Sequence, residues 1–383
     1  RVLGKIKLFK ASSFYDLYLE YFKNNNNIDL SKSYSDLESQ LFYDGFAWSD
    51  SLKYYLEQND SFEVRDVIVN CSWIQNKWLE ERGDNKSNKT FLDILELQIL
   101  DFQPHVFFAH DMGIITSEFI KKIKKKCPSI KKVIGYDGVG HLNISHFSKF
   151  DLVLTCVDYI REFYTNYGIR SELFYYGFDL RIINRLGQKD KPLNLSFIGG
   201  LNLMKGGHHY RLKVLSALSK IKPSYFISSR ELCGYKFYQW QQRKRLFDFK
   251  FREMINVNRV GSCNIGERYG LEMFRELRDS KLTLNVHIDN AKNSAANIRL
   301  FEATGVGTCL VTDWKQNLSD FFNLDNEIVT FKSTEECIEK VVYLLNNPKK
   351  REEIALAGQK KTNQLYGMNN RVKELENIFL KSL

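Results

Sequence analysis

The 383-residue chain contains only 5 prolines, and its 7 cysteines are scattered without a CxxC pair or the spacing of a metal site. An odd number of dispersed cysteines argues against a disulfide framework, so we expect reduced thiols in a cytoplasmic protein. Long apolar runs are also missing, and VFFA and CLV are far too short to cross a bilayer. The N-terminal residues show no signal-peptide core. We therefore expect neither a membrane span nor a secretory leader.

Acidic residues are fewer than basic ones: 46 Asp and Glu stand against 56 Lys and Arg, for a net charge of +10. This balance favours anionic partners, namely nucleic acid, nucleotides or an acidic membrane face. Part of the excess is local, in KKIKKKCPSIKK (121–132) and QQRKRLFDFKFREM (241–254). The first segment predicts a helix end and the loop after it. The second interleaves Arg and Lys with Phe, as a headgroup layer or a nucleic-acid backbone would favour. A solvated helix face is the alternative for each.

What the chain does contain is a regular alternation of apolar strands and amphipathic helices. With 43% hydrophobic residues over 383 positions, it exceeds what one core usually supports, so two domains are expected. Six strands are predicted in the first half: GKIKLF (4–9), VRDVIVN (64–70), HVFFA (105–109), KVIGY (132–136), DLVLT (151–155) and ELFYY (172–176). Such a series predicts a doubly wound parallel sheet.

A polar, turn-rich segment, 177–192, interrupts the pattern, which then restarts. Predicted strands of the second half are LNLSFIGG (193–200), YFISS (225–229), KLTLNV (281–286), CLVTD (309–313) and IVTF (328–331). Capping boxes predict helix starts at Ser35 and Ser333. We expect two Rossmann-like domains, 1–185 and 186–365, and a helix in 366–383 that crosses back to the first. Ligands of such sheets bind at the carboxyl ends of the strands, in the crevice between the halves.

The stretch NSAANIRLFEATGVGTCLVTD (293–313) is the most informative. Polar residues suited to a helix start open it: Asn293, Ser294 and Asn297. A helix start favours a diphosphate, Arg299 would add a charge-assisted contact, and the Glu302 carboxylate can accept hydrogen bonds from two ribose hydroxyls. Gly305 and Gly307 let the chain reverse without a Cβ clash. From spacing alone, an ordinary surface Arg/Glu pair with a glycine cap is the favoured alternative.

This stretch, with YGLEMFRELRDSKLTLNVHID before it and EECIEKVVYLLNNPKKREEIALAGQKK after it, resembles the C-terminal half of a GT-B glycosyltransferase. The resemblance covers about 266–365 and is closest to the CgeB-like, "glycosyl transferases group 1" type of bacterial surface-glycan enzyme. A weaker similarity covers DGFAWSD and the residues after it (44–81). The resemblance to this family implies two Rossmann-like domains that face each other across a cleft. It also implies that Glu302 binds the ribose of the donor. The family usually has an acidic residue eight positions earlier, where this chain has Ser294, so the resemblance predicts no stereochemical outcome.

Further donor contacts are expected at the ends of two strands. The segment SFIGGLNLMKGGHHYR (196–211) matches the turn where such enzymes contact the diphosphate. There Gly199 and Gly200, which have no side chains, would let the diphosphate approach the backbone. Lys205 or Arg211 would neutralise charge on the leaving nucleotide. The segment is no P-loop, and a flexible basic loop is the alternative.

In LNVHID, Asn285 and His287 alternate and so share one face of the strand. Their place at the strand end predicts a donor contact. A histidine with a purely structural role is the alternative.

Transfer with inversion needs a general base near the attacking hydroxyl. Candidates at strand ends or in the 44–50 loop are Asp44, Asp50, His110, Asp111 and Asp137. Asp44 ranks first because it lies in the segment that resembles the family. Asp50 also suits a helix N-cap.

The resulting hypothesis is a cytoplasmic glycosyltransferase with a nucleotide-sugar co-substrate, no cofactor and no metal, and a glycan or glycolipid acceptor of bacterial surface polysaccharide synthesis. Its basic surface would hold it at an anionic membrane, on the inner face of the plasma membrane. Alternatives are a nucleic-acid-binding protein, which the absence of RRM, KH and helix-turn-helix signatures disfavours, and a GT-B-fold epimerase or non-catalytic subunit.

Overall fold

The computed structural model describes residues 4–84, 88–138, 147–187, 190–203, 207–228 and 251–381. The chain divides into two compact units, which we call the first and the second domain. The first domain comprises Arg1–Asp179 and Met368–Leu383, and the second comprises Leu180–Gly367. The observed boundary thus falls at 179/180, where the sequence led us to expect 185/186. Each domain is an α/β unit around one parallel sheet.

The sheet of the first domain has six strands in the order β2-β1-β3-β4-β5-β6, all parallel. They are β1 (Ile6–Ser12), β2 (Phe62–Ile68), β3 (Val106–Ala109), β4 (Lys132–Tyr136), β5 (Leu152–Thr155) and β6 (Ser171–Leu173). Its helices are α1 (Asp16–Asn25), α2 (Tyr34–Tyr43), α3 (Ser51–Leu56), α4 (Ser72–Glu80), α5 (Phe91–Phe102), α6 (Ser117–Lys126) and α7 (Asp158–Asn166). The predicted doubly wound parallel sheet is confirmed.

The sheet of the second domain has five parallel strands in the order β11-β10-β9-β7-β8. They are β7 (Leu193–Gly200), β8 (Ser224–Ser228), β9 (Ser280–Asn285), β10 (Cys309–Asp313) and β11 (Val329–Phe331). Its helices are α8 (Arg181–Leu186), α9 (His209–Leu218), α10 (Phe251–Cys263), α11 (Gly270–Arg278), α12 (Arg299–Gly305), α13 (Leu318–Phe321), α14 (Thr334–Asn346) and α15 (Pro348–Leu365). Helix α8 lies inside the polar, turn-rich segment 177–192 that interrupts the pattern of strands and helices in the sequence.

Side-chain alternation along β9 decides which residues face the core of the second domain. Leu282, Leu284 and Val286 belong to its main apolar cluster. Because successive side chains of a strand point to opposite faces, Asn285 and His287 lie on the other face, as the sequence predicts. The polar pair therefore emerges at the carboxyl end of a central strand.

The last helix, α16 (Met368–Leu380), packs against α3 of the first domain. The Met368 N–H donates to Phe178 O at 2.8 Å, and Arg371 Nε donates to Tyr175 O at 3.0 Å. Burial of Leu375 and Phe379 provides the apolar contact. The C-terminal helix is thus part of the first domain.

Two predicted helix starts can be compared with the structure. Ser333 caps α14 as expected, because its Oγ accepts from Glu336 N at 3.1 Å. The prediction at Ser35 was wrong: Ser33 is the N-cap of α2, and its Oγ accepts from Asp36 N. The chain offers two serines that differ by two positions, and the first has the extended backbone that a cap requires.

The basic segment 121–132 forms the end of α6 and the loop after it, as predicted. Lys122 and Lys126 both pair with Glu96, and Lys124 pairs with Asp151 at 2.9 Å. The cysteines of the described ranges are free thiols. None of the described helices has both the length and the apolar character needed to cross a membrane.

Candidate active site

The carboxyl edge of the second sheet gathers polar residues from its three central strands. Strand β7 ends at Gly200, β9 ends at Asn285, and β10 ends at Asp313. Parallel pairing places Thr312 beside Asn285 and brings these ends to one edge. The family resemblance predicts that the nucleotide-sugar donor binds at this edge.

His287 is held at this edge by a carboxylate. Its backbone N–H donates to Asp313 Oδ1 at 2.9 Å, and its Nδ1 lies 2.7 Å from the same oxygen. The side chain is 0% exposed, and the other ring nitrogen, Nε2, is buried with no hydrogen-bond partner in the described part of the chain. Lys315 Nζ lies 3.3 Å from Asp313 Oδ2. Burial alone would raise the pKa of Asp313, but its bonds to His287 and the charge of Lys315 hold it below the usual value.

A chain of side-chain hydrogen bonds links this edge to the segment before α12. Asn297 Nδ2 donates to Asn285 Oδ1 at 2.9 Å, and Asn285 Nδ2 donates to Thr312 Oγ1 at 2.9 Å. Asn297 is therefore committed to the strand rather than to a helix start. Helix α12 begins at Arg299 with Ile298 as N-cap and no side-chain cap. The predicted capping by Asn293, Ser294 and Asn297 was wrong, since Ser294 N bonds Ala291 O in a turn well before the helix.

Arg299 and Glu302 pair on α12. Arg299 Nη1 lies 2.8 Å from Glu302 Oε2, and Glu302 is buried with 6% exposure. Burial raises the pKa of Glu302, and the Arg299 charge opposes this rise only in part. Among the described residues this oxygen has an ion-pair partner but no well-directed hydrogen bond. The sequence pattern left open an ordinary surface pair, and burial of the carboxylate excludes that alternative.

The glycines behind α12 have a steric role. Gly307 has a φ of +80°, and a Cβ there would come within 2.9 Å of Gln359 Nε2. A side chain at this position would meet both backbone strain and a clash. The glycine turn thus keeps α12 close to α15, where Thr304 and Thr362 are hydrogen-bonded.

The guanidinium of Arg211, which was predicted to neutralise charge on the leaving nucleotide, bonds main-chain oxygens. It is buried, its Nε and Nη2 donate to Val286 O at 3.0 and 2.6 Å, and its Nη1 donates to Gly200 O at 2.5 Å. Burial lowers the pKa of Arg211 to about 10. Because its guanidinium is bonded to the main chain of two strand ends, Arg211 fixes the spacing of this edge. Lys205 lies outside the described residues, so its predicted role stays a prediction.

Gly199 and Gly200 end β7 next to this clamp. A Cβ at Gly199 would lie 3.1 Å from the ring of Phe197, so glycine there relieves crowding within its own strand. The predicted contact of both glycines with a diphosphate is an additional role, which these distances neither require nor oppose.

The carboxyl edge of the first sheet has a different character. His110 follows β3, its Nδ1 lies 3.1 Å from Ser12 Oγ, and its Nε2 is buried without a hydrogen-bond partner in the described ranges. The ring packs on Trp48 with centroids 4.4 Å apart and on Tyr136 at 5.4 Å. Burial, with a smaller effect from the Lys10 charge, holds the pKa of His110 well below its usual value. The imidazole is therefore neutral at pH 7.

The loop 44–50 carries the Trp48 ring against this imidazole. Gly45, Ala47 and Ser49 all have positive φ, of 71°, 53° and 40°. Two of the three are not glycine, and strained backbone persists where the surroundings hold it. Lys10 supplies that hold, because its Nζ donates to Ser49 O at 2.9 Å.

Lys10 is itself buried and lies opposite Asp66 in the register of β1 and β2. Its Nζ lies 2.6 Å from Asp66 Oδ1, with side-chain exposures of 1% and 0%. Burial raises the pKa of Asp66 even though Lys10 lowers it. The buried pair of Lys10 and Asp66 thus underlies the strained loop.

The four candidate aspartates lie in different surroundings. Asp44 ends α2 and accepts from Tyr18 Oη at 2.9 Å, and Asp50 precedes α3 at the N-cap position without a side-chain cap bond. Asp111 is half-buried, contacts Ser13 Oγ and accepts from Gly113 N at 2.8 Å. Asp137 is buried and accepts from Tyr164 Oη at 2.8 Å, which ties the end of β4 to α7. Their catalytic roles stay predictions.

Sequence reasoning missed the residues that hold the two histidines. Asp313 and Ser12 are the last residues of their strands, each beside the strand that carries its histidine. The sequence signal for each of these residues is a polar residue at the end of a predicted strand. This signal identifies the partner of a histidine only when the order of the strands in the sheet is known. The basic segment 241–254 lies outside the described residues up to 250, so the nucleic-acid alternative gains no structural support.

Comparison with known proteins shows what the second domain is similar to. Residues 220–377 match the family model described as Glycosyl transferase-like, and this range contains β9, α12 and β10. A search of curated proteins finds no match.

Solved structures show the same fold over the whole chain. A glycosyltransferase from Rickettsia africae ESF-5 is similar with a TM-score of 0.61 and 10% identity, over 99% of each chain. Anabaena Alr3699/HepE in complex with UDP and glucose has a TM-score of 0.55 and 12% identity, over 99% of this chain and 100% of that one. Sucrose-phosphate synthase from Thermosynechococcus elongatus has a TM-score of 0.55 and 6% identity, over 98% and 99%.

The chain has the GT-B fold, and residues 220–377 are similar to a glycosyl transferase-like family. The prediction of two Rossmann-like domains of this type is confirmed, while the narrower CgeB-like label is not. The matched range includes Glu302, His287 and Asp313.

Proposed function

We propose that this protein is a glycosyltransferase that takes its sugar from a nucleotide-sugar donor bound at the carboxyl edge of the second sheet, and passes it to a glycan or glycolipid. The observation that carries the proposal is the buried Glu302 carboxylate, offset only by Arg299, at the start of α12. A carboxylate in such surroundings gains from two hydroxyl donors. The HepE complex, which contains UDP and glucose, supports the choice of a nucleoside diphosphate as first probe.

A binding experiment with Glu302→Ala tests the donor site. Nucleoside diphosphates are first screened for thermal stabilisation of the protein, since a ligand of the native state raises its melting temperature. The affinity of the best one, with UDP tried first, is then measured by titration calorimetry. Loss of Glu302 should weaken binding by about 1.5–3 kcal/mol per hydrogen bond to the charged group.

Glu353→Ala is the matched control, because Glu353 is exposed on α15. It should leave the affinity unchanged. If Glu302→Ala binds the nucleotide as tightly as the parent protein, Glu302 does not bind ribose. If no nucleoside diphosphate stabilises the protein, the proposal of a nucleotide-sugar donor is wrong.

For the acceptor half we propose that His110 contacts the reacting hydroxyl. Its neutral imidazole with an unbonded Nε2, together with the strained loop packed against it, supports this choice. Asp44, which the family resemblance ranked first, already accepts from Tyr18. Asp44→Asn distinguishes the two: loss of transfer with donor binding intact would assign the base to Asp44.

We further propose that the acceptor belongs to bacterial surface polysaccharide, such as lipopolysaccharide, and that the enzyme works at the cytoplasmic face of an anionic membrane. Lys121 and Lys125, exposed on α6, support the membrane contact. Co-sedimentation with phosphatidylglycerol vesicles and with phosphatidylcholine vesicles is the test. Binding to the anionic vesicles should be lost when both lysines are replaced by glutamate, and equal binding to the two vesicles would contradict the idea.

We expect transfer to need no metal ion, because the sequence has no DxD motif in a metal-binding context. The described residues contain no group of three or more His, Cys, Asp or Glu side chains placed to hold a metal. The activity should persist in EDTA. Loss of activity that Mg²⁺ or Mn²⁺ restores would show that a metal takes part.

A further inference from the structure

The strongest unexplained feature of the second domain is the Nε2 atom of His287. It is buried, and the described residues provide it no hydrogen-bond partner. Leaving a buried polar group unpaired is unfavourable, and most such groups in proteins are paired. The ring cannot turn to relieve this, because Nδ1 is fixed 2.7 Å from Asp313 Oδ1 and the backbone N–H of His287 bonds the same oxygen. Nε2 is therefore held in one direction.

The partner of His287 decides what Nε2 can bind. Asp313 has a pKa below the usual value, so it is a carboxylate at neutral pH. Nδ1 of His287 faces that carboxylate, so Nε2 is the ring nitrogen left to meet a ligand. A hydrogen on Nε2 makes this atom a hydrogen-bond donor. An anionic oxygen is the complement of such a donor.

The surroundings also favour an anion. Arg211 bonds the carbonyl oxygen of Val286, the residue before His287, and that of Gly200 at the neighbouring strand end. Lys315 lies 3.3 Å from Asp313 on the far side of the carboxylate. Two cations thus surround an edge whose backbone at Gly199 and Gly200 has no side chains. Both cations are engaged with protein groups, whereas Nε2 of His287 has no partner among the described residues.

We propose that His287 and Asp313 form a diphosphate-binding pair, in which Nε2 of His287 donates to a phosphate oxygen of the nucleotide and Asp313 is the positioning residue for the imidazole. This inference rests on the proposed function, and it assigns the diphosphate, rather than the ribose or the base, to His287. Glu302 would bind the ribose independently.

The test compares UDP with uridine as calorimetric probes, because the two differ only in the diphosphate. His287→Ala should weaken UDP binding by about tenfold or more and leave uridine binding unchanged. His287→Gln places an amide N–H near the position of Nε2 and should recover most of the affinity for UDP. Inorganic pyrophosphate, as a third probe, should show the same ranking of variants as UDP.

Asp313→Asn tests the positioning role. It should weaken UDP binding but not uridine binding, and in a His287→Ala background it should have no further effect, because the pair acts as one unit. Asp325→Asn is the matched control, since Asp325 is a carboxylate that pairs with Lys340 at the surface. Its affinity for UDP should equal that of the parent protein.

Three results would overturn the inference. An unchanged UDP affinity in both His287 variants would show that Nε2 does not touch the nucleotide. An equal loss of UDP and uridine affinity would mean that His287 only supports the fold, and the melting temperatures of the ligand-free variants would show the same. If the parent protein binds uridine and UDP equally, the diphosphate contributes nothing, whereas failure to bind any nucleoside diphosphate defeats the proposed function as well.

Discussion

Each of the two sheets places a histidine at the carboxyl end of a central strand, but the two imidazoles have different partners. In the first domain, Ser12 contacts Nδ1 of His110 with a hydroxyl, among aromatic rings. In the second, Asp313 contacts Nδ1 of His287 with a carboxylate. Both rings keep a buried Nε2 that has no partner in the described ranges. Burial keeps the His110 imidazole neutral, which suits a substrate hydroxyl. A carboxylate that holds Nδ1 of His287 leaves Nε2 to donate to a phosphate.

The difference extends to the charges around each ring. The first domain buries Lys10 and Asp66 beneath the strained loop, and Lys10 donates a hydrogen bond to the backbone of that loop. At the second edge, Arg299 and Glu302 form a pair whose carboxylate keeps one poorly bonded oxygen. The edge of the first sheet is thus rigid and nearly neutral. The edge of the second sheet keeps polar atoms that can form further hydrogen bonds.

The largest effect is expected from removing the neutral imidazole. His110→Ala should lower kcat by about 10²–10⁴-fold, the usual range for loss of a general acid or base, with donor affinity unchanged. The matched control is His105→Ala at the opposite end of the same strand, where Nδ1 accepts from Lys7 N at 3.1 Å. Turnover should be normal in the control. Equal losses in both variants would trace the effect to the strand and not to the imidazole.

The next effect concerns the buried ion pair. Lys10→Met leaves the Asp66 carboxylate buried without its partner and should lower the free energy of unfolding by about 3–5 kcal/mol. Lys5→Met is the control, because Lys5 directly precedes the same strand and its pair with Asp60 is exposed at 50% and 91%, so its loss should leave the stability nearly unchanged. Urea denaturation followed by circular dichroism measures both. A loss below 1 kcal/mol for Lys10→Met would show that the pair does not stabilise the first domain.

The fold could be predicted because its signals are local. Buried parallel strands are short apolar runs, so VFFA, LVLT and CLVTD stand out without any partner. Side-chain alternation also placed Asn285 and His287 on one face. The predicted helix start before Arg299 was wrong. The Asn297 side chain there bonds Asn285 at the strand edge, and the Ser294 backbone N–H bonds within a turn. Local propensity does not reveal which partner a polar side chain takes.

The pairs that hold the site could not be predicted, because they join positions far apart in sequence. Lys10 meets Asp66 across 56 residues, and Arg211 reaches Val286 across 75. These contacts depend on the order β2-β1-β3 and β10-β9-β7. Arg211 shows the limit most clearly: a basic residue after a glycine turn suggests an anion site, yet the guanidinium bonds two carbonyl oxygens.

The smallest expected effect is a difference of sign in how the two buried carboxylates respond to pH. The usual pKa of an aspartate is 3.8; folding raises that of Asp66, and it lowers that of Asp313. Lowering the pH through the raised pKa towards 3.8 protonates Asp66 in the folded state first, so its contribution to stability rises. Asp313 contributes stability above 3.8, and this is lost as the pH falls through its lowered pKa. Unfolding free energies of the parent protein, Asp66→Asn and Asp313→Asn, measured between pH 7 and pH 3, give the two slopes by difference. Slopes of the same sign would mean that the two carboxylates share one electrostatic environment, and the contrast between the two edges would be lost.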